Sequence, residues 1–285
     1  MRVLVLGVTG MLGSAVFKQL SRDSGDEVWG TLRSASGLRY FPEGAHGQLI
    51  SNVDALDHDA LVSVFARVRP AVVINCVGLI KQLADAEDPL SALPVNAILP
   101  HRLAKLCALS GSRLIHISTD CVFSGRKGSY TEADPSDAED LYGKSKFMGE
   151  LQDLPHAITL RTSIIGHELG SHHALIDWFL SQSGPVKGYA KAIFSGLPTV
   201  ELARVMKDFV IPRPGLSGLY HVSVDPIDKL SLLRLVAQIY GKTIEINPDA
   251  QVCIDRSLDS TRFRETTGYV PPTWPELVRL MHDQR

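Results

Sequence analysis

Two pairs of residues in this chain are of the types that move protons to and from a carbonyl. Tyr142 and Lys146 stand four residues apart in Leu-Tyr-Gly-Lys-Ser-Lys-Phe-Met-Gly-Glu (141–150), with no proline between them. A helix there raises both side chains from one face, so a phenol and an ammonium share one small site. Free tyrosine titrates near pH ~10, and a cation within hydrogen-bonding range is expected to lower that by roughly one to three pH units. The phenol would then serve as acid and base near neutrality. Ser118 and Thr119 form the second pair. They follow Arg113-Leu-Ile-His-Ile117, which reads as a buried strand, and ligands of open α/β sheets sit at strand ends. The spacing of Tyr142 and Lys146 also fits a solvated helix face. The order of strand, hydroxyls, loop and helix, all downstream of a glycine-rich turn, favours the site.

That turn comes first in the chain. Arg2-Val-Leu-Val-Leu6 is a β-branched and aliphatic run closed by Gly7-Val-Thr-Gly10-Met-Leu-Gly13, after which helical spacing begins. Strand, glycine turn and helix together form a dinucleotide seat: small residues admit the pyrophosphate, and the helix N-terminus faces it. The residues read as the seat are Gly7, Thr9, Gly10, Met11, Leu12 and Gly13, the rival being three ordinary turn glycines. The next strand, from Glu27 to Thr31 or Leu32, ends at Arg33 with Ser34 and Ser36 nearby and no acid between Val28 and Pro42. An acid at that place holds the ribose 2′-hydroxyl of NAD, and an Arg accommodates a 2′-phosphate. Arg33 therefore favours NADP (NADPH) over NAD, unless it is a solvated loop residue.

Ser118-Thr119-Asp120-Cys121-Val122-Phe123-Ser124-Gly125 and Tyr142-Gly-Lys-Ser-Lys146 carry a resemblance. With Gly-x-x-Gly-x-x-Gly upstream, the chain resembles the extended short-chain dehydrogenase/reductase family, in its dTDP-4-dehydrorhamnose reductase-like branch of sugar-nucleotide reductases. The likeness is dense in the first 165 residues and thinner beyond. It implies NADPH-dependent reduction of the 4-keto group of a nucleotide-linked deoxysugar, as in bacterial-type polysaccharide sugar biosynthesis. Tyr142 would protonate the oxygen, Thr119 hydrogen-bond it with Ser118 sharing that role, and Lys146 hold the nicotinamide ribose. Further cofactor contacts are implied at Asp54, which would meet the adenine, at Cys76, Val77 and Gly78, and at Asn96, which would support the active site. Asp54, Asp57 and Asp59 compete as caps of the helix at 60–68, and Asn96 also reads as a satisfied core amide. Arg256 stands where relatives carry an Arg toward the substrate's nucleotide; a surface ion pair is the rival. Relatives have a Pro and an Asn or Ser shortly before the Tyr, whereas this chain has Ala138, Glu139 and Asp140, leaving Asp137 and Asp140 as caps or substrate contacts.

The elements that must hold these residues follow from the rest of the chain. At 285 residues with 45% hydrophobic and 21% charged residues, it can bury a large core in one or two unequal domains. The net charge of −2 and the lack of a basic run give no reason to expect nucleic acid or an anionic membrane surface. Cys76, Cys107, Cys121 and Cys253 show no metal or disulfide spacing. His172 and His173 lack spaced partners and read as solvated, so no metal is expected. An apolar run from Arg2 leaves no room for a signal peptide, and a cytoplasmic setting and a homodimer are expected. A third strand is expected from Gly47 to about Val53. Another covers 71–78, followed by a long helix at 88–110 bent by Pro94 and Pro100. A strand ends in Arg161-Thr-Ser163. Helices are expected near 174–182, at 199–210, 227–240, 259–266 and 275–282, with a strand at 218–223 returning to the first sheet. The fold class is α/β: a Rossmann-type doubly wound parallel sheet with a smaller C-terminal α/β substrate lobe. Residues 1–165 plus about 199–223 form the dinucleotide domain, and about 166–198 plus 224–285 the lobe. Two rival functions remain. One is a nucleotide-sugar epimerase or epimerase-reductase using Cys121 with His167, against which Cys121 reads as a small apolar core residue. The other is an NADP-binding regulatory subunit without turnover, since a similar fold serves as the beta subunit of methionine adenosyltransferase.

Overall fold

Short apolar runs alternating with amphipathic stretches become a parallel sheet wrapped by helices. The computed structural model describes residues 1–23, 25–79 and 87–285. Its first half contains β1 (Arg2–Leu6), α1 (Met11–Asp23), β2 (Glu27–Thr31), β3 (Leu49–Ile50), α2 (His58–Val68), β4 (Val72–Asn75), α3 (Pro89–Ala92), α4 (Leu99–Ser110), β5 (Arg113–Thr119) and α5 (Leu141–Met148). The second half adds β6 (Ala157–Thr162), β7 (Ile164–Ile165), α6 (Leu175–Ser181), β8 (Val186–Phe194), β9 (Leu197–Pro198), α7 (Thr199–Val205) and β10 (Gly218–His221). It ends with β11 (Ile227–Asp228), α8 (Lys229–Ile239), β12 (Ile246–Asp255), α9 (Thr261–Thr267) and α10 (Trp274–Asp283).

Among the described residues seven strands form one sheet, in the order β10-β6-β5-β4-β1-β2-β3. Every neighbouring pair is parallel. The chain runs outward through β2 and β3, then returns to place β4 on the other side of β1. That reversal opens a crevice at the strands' carboxyl ends. The two-residue period of a strand explains the double core. Val3 and Val5 point to one face, packing with Val16, Phe17 and Leu20 of α1 and with α7 and α10. Leu4 and Leu6 point to the other, against Leu61, Val64 and Phe65 of α2 and Leu99 and Leu103 of α4. β4, β5 and β6 are buried at every position, as strands covered on both faces must be.

Several expectations are corrected in detail. The third strand is short, Leu49–Ile50, because residues 35–40 and 43–48 turn as 3₁₀ helices. The helix expected at 88–110 begins with Asp88 as N-cap and Pro89 in its first turn, then widens to a π-helical stretch at Leu93–Ile98 before α4. The proline positions account for that interruption, since Pro94 and Pro100 donate no N–H. The helix at 199–210 is regular through Val205 and π-helical from Met206 to Val210. The C-terminal lobe is α/β as expected, but only its helices were placed between the returning strand and the chain's end; the structure locates its sheet as β11-β8-β12, with α8 packed on β8. The returning strand is as expected: β10 pairs with β6.

Candidate active site

A cavity of about 900 Å³ lies at the carboxyl ends of the central strands, between the first sheet and β8 and β12. One wall is the glycine turn. Gly7 has φ +80°, which an L side chain rarely adopts, and a Cβ on Gly13 would lie 2.2 Å from the Gly7 carbonyl oxygen. The two glycines shape the turn and let α1 start against it, while Thr9, Gly10, Met11 and Leu12 line the cavity. Arg33 lines it too, from the end of β2. Ser34 and Ser36 bond to each other, 3.0 Å between hydroxyls, at the head of the next turn. Asp54 does not line the wall. It is exposed, and its carboxylate accepts from Leu56 N at 2.9 Å, while Asp57 caps α2. The adenine contact expected of Asp54 has no support in this geometry.

After β4 the chain turns through Cys76, Val77 and Gly78, all on the cavity wall. Asn75 fixes the turn by accepting from Val77 N at 3.1 Å. Asn96 is fully buried in the π-helical stretch: its Oδ1 accepts from Leu79 N at 2.9 Å, and its Nδ2 donates to Leu79 O and to Ser145 Oγ, each at 3.2 Å. It thus bolts the cofactor-side turn to α5, so the satisfied core amide and the supporting residue are the same thing.

Asp140 caps α5, accepting from Gly143 N at 2.8 Å. The glycine in Tyr-Gly-Lys-Ser-Lys is needed for contact, because a Cβ on Gly143 would lie 2.2 Å from the Cys121 carbonyl oxygen. That approach brings Tyr142 beside Thr119, whose side chain interacts with the phenol. Lys146 reaches the same strand end, donating from Nζ to Ile117 O at 2.7 Å. Burial sets the protonation of both. The Tyr142 phenol is pushed up, by desolvation first and then by Cys121, Asp120 and Asp140. Lys146 is brought down to about 8 by desolvation, with Glu150 and Cys76 opposing. The lowering of Tyr142 expected from a nearby cation is therefore corrected: the phenol moves up, chiefly through loss of water.

Ser118 is also corrected. Its neighbour Thr119 turns to Tyr142, and a strand sends successive side chains to opposite faces. Ser118 Oγ donates to Glu150 Oε1 at 2.7 Å, away from the phenol. Arg256 lines the cavity and is no surface ion pair: its Nε donates to Phe123 O at 2.8 Å and its Nη1 lies 3.7 Å from Cys121 Sγ. Cys121 is pushed up to about 12 by burial and by Asp120. His167 is not its partner, since its ring nitrogens are both engaged elsewhere, Nδ1 with the Asp177 carboxylate at 2.6 Å and Nε2 with the Tyr240 hydroxyl at 2.8 Å. Asp137 holds Ser124 through both its N–H and its hydroxyl, and Asp134 receives Lys127 and Thr131, so the acidic loop is pinned locally. His172 and His173 are exposed, and among the described residues no cluster of metal-ligating side chains occurs.

The far wall was missed by the sequence reading. It contains Glu168, Leu169 and Ala174 before α6, Ala192 to Phe194 of β8, Lys229 at the start of α8, and Ile254. One signal was present. In β8 the residues Val186, Gly188, Ala192 and Phe194 are buried while Lys187 and Lys191 are exposed, a period of two that marks a strand.

Comparison with known proteins agrees with this arrangement. The model of the family described as RmlD substrate binding domain matches residues 1–284. Methionine adenosyltransferase 2 subunit beta of Danio rerio is 34% identical over 171 residues, 59% of this chain and 49% of that protein. The chain thus spans about half the length of that relative and of its counterparts in other vertebrates. A dTDP-4-dehydrorhamnose reductase of Aggregatibacter actinomycetemcomitans is 24% identical over 307 aligned positions, covering 98% of this chain and 97% of that protein. The crystal structure of dTDP-4-dehydrorhamnose reductase from Bacillus anthracis in complex with NADP superposes with a TM-score of 0.81 at 20% identity, covering 99% of each chain. At that identity the fold alone is shared. The family match runs the length of both sheets and the cavity between them, and the chain belongs to the RmlD substrate-binding-domain family.

Proposed function

We propose that this protein reduces the 4-keto group of a nucleotide-linked deoxysugar with NADPH. The observation that carries the reading is the convergence of Tyr142, Thr119 and Lys146 on a cavity that the glycine turn after β1 also lines, with Arg33 beside it from beyond β2. That wall fits a dinucleotide: the first turn of α1 offers backbone N–H groups, and Arg33 suits a 2′-phosphate. NADPH, when bound, supplies the hydride. The raised titration of Tyr142 keeps it a phenol at neutral pH, the form that can give a proton to the carbonyl oxygen, and Thr119 is the hydroxyl beside that oxygen. Lys146, at about 8, is still largely an ammonium at neutral pH and is suited to ribose hydroxyls. Arg256 faces the same space with a charge suited to a nucleotide diphosphate. The reading divides the chain into a cofactor domain, 1–165 plus about 199–223, and a substrate lobe, about 166–198 plus 224–285. It also carries a cytoplasmic setting and a homodimer. Among the described residues no helix is long and apolar enough to cross a membrane.

A panel of 4-keto nucleotide sugars with NADPH tests the reading. Tyr142→Phe keeps the ring and is expected to fold and bind NADPH while kcat falls about 10²–10⁴-fold. Retention of turnover within a few-fold of wild type would refute the assignment. A second reading, a cofactor-binding regulatory subunit, is favoured by the name of the 31–34% identical relatives, subunit beta of an adenosyltransferase. It predicts tight NADPH binding with no oxidation by any sugar of the panel. An epimerase acting through Cys121 is disfavoured, because a thiol titrating at about 12 is a poor base at neutral pH.

A further inference from the structure

From Ser118 at the end of β5 runs a buried polar chain. The Glu150 carboxylate is gripped by Arg161, Nε to Oε1 at 2.7 Å and Nη2 to Oε2 at 2.6 Å, with both side chains at most 2% exposed. Oε1 also accepts from Ser118 Oγ at 2.7 Å. Arg161 Nη1 lies 3.3 Å from His221 Nε2, and His221 Nδ1 donates to Tyr130 O at 3.0 Å. His221 is held neutral, down to about 4, by burial and by Arg161. Tyr130 N in turn donates to Ser257 O, next to Arg256.

The groups facing Lys146 explain why this matters. From the β4 turn comes Cys76, a thiol pushed up to about 12 by burial. From β5 comes His116, buried and held well below its ordinary titration by burial and by Lys146 itself. From its own helix comes Tyr142, a protonated phenol. All three are neutral at pH 7, and Asn96 beyond them carries no charge. Glu150, four residues on, is the anion among these neighbours, and it is the strongest influence favouring the ammonium. Arg161 stands behind it.

We propose that Glu150 is a positioning residue of this site: gripped by Arg161 and bonded to Ser118, the chain neighbour of Thr119, its carboxylate is the fixed anion placed four residues from Lys146. The proposal rests on reading Tyr142, Thr119 and Lys146 as the reacting centre. Neutralising Glu150 removes an anion and leaves the Arg161 cation unmatched, and both changes push a proton off Lys146.

The test is the titration of Lys146 followed by NMR in the free protein labelled at lysine Cε and Nζ, with the signal identified by its loss in Lys146→Met. In Glu150→Gln the midpoint is expected to fall by about one pH unit or more, and the alkaline limb of NADPH oxidation to fall with it. Glu150→Asp, which restores the charge, is expected to return the midpoint toward wild type. If Glu150→Gln does not fold, Glu150→Gln/Arg161→Met, which leaves no unpaired charge, is expected to show the lowered midpoint. A folded variant lacking the carboxylate, melting lower but with an unmoved Lys146 midpoint, would reduce Glu150 to a packing role and overturn the proposal. A moved midpoint in a protein that reduces no sugar of the panel would keep the charge role and defeat the reductase reading. An unmoved midpoint in an active reductase would do the reverse.

Discussion

Lys146 is 6% exposed and titrates at about 8 against an ordinary 10.5, with burial as the leading cause. The difference, about 2.5 pH units at ~1.36 kcal/mol each, sets the folded state back by about 3 kcal/mol. The pH window follows from the direction. Below pH 8 both folded and unfolded chains hold the proton, and the full penalty is present. Between 8 and 10.5 the unfolded chain binds the proton that the folded one has released, so stability rises with pH. Above 10.5 both are neutral and the penalty is gone. Lys146→Met keeps an unbranched, apolar stem and removes the charge, at the loss of the Nζ bond to Ile117 O, roughly 0.5–1.5 kcal/mol. The variant is therefore expected to be more stable than wild type by about 1–3 kcal/mol at pH 7, and no more stable near pH 11. Urea unfolding from pH 6 to 11, followed by tryptophan fluorescence, measures this directly. A Lys146→Met protein less stable than wild type at pH 7, or one sharing its pH slope, would refute the burial argument.

Arg33→Ala is expected to weaken NADP binding about 10- to 100-fold, the worth of a charge-assisted bond of roughly 1.5–3 kcal/mol, while NAD binding stays unchanged; equal losses for both in calorimetry would remove Arg33 from the 2′-phosphate. Gly143→Ala places a methyl where the Cys121 carbonyl oxygen is 2.2 Å away, so α5 must retreat from β5. A destabilisation of about 1–3 kcal/mol is expected, with turnover falling further than stability does. A variant with wild-type melting and turnover would show that the approach of α5 is not needed.

The first sheet was legible because its strands are covered on both faces and so read as continuous apolar runs bounded by glycine or hydroxyl residues; β4 and β5 are the clearest cases. β12 was not. Ile-Asn-Pro-Asp-Ala-Gln-Val-Cys-Ile-Asp is poor strand material, and most of it is exposed. It is extended because it pairs with β8 at the edge of the small sheet, where Pro248 can be tolerated. Pairing with a segment some sixty residues away leaves no local trace in such a sequence. The cavity wall that β8 and Ile254 supply was hidden for the same reason.

Within the site, the sequence displayed residue types but not directions. Ser118 and Thr119 are adjacent hydroxyls at a strand end, and a period of two requires that they part. Which of them meets Tyr142 depends on the face on which α5 lands, and that is fixed by the contact of Gly143 with the Cys121 carbonyl. The charges were misjudged similarly. A phenol and an ammonium four positions apart suggest a lowered phenol, yet spacing carries no account of the water that folding removes. With that water gone, Tyr142 moves up and Lys146 moves down. A phenol held protonated suits the delivery of a proton to a reduced carbonyl better than it suits the removal of one from an alcohol at neutral pH. An ammonium at about 8 stays charged at pH 7 with little to spare. At neutral pH the pair therefore rests in the protonation states from which a carbonyl is reduced, and the anion proposed to hold Lys146 on the charged side of its midpoint is Glu150.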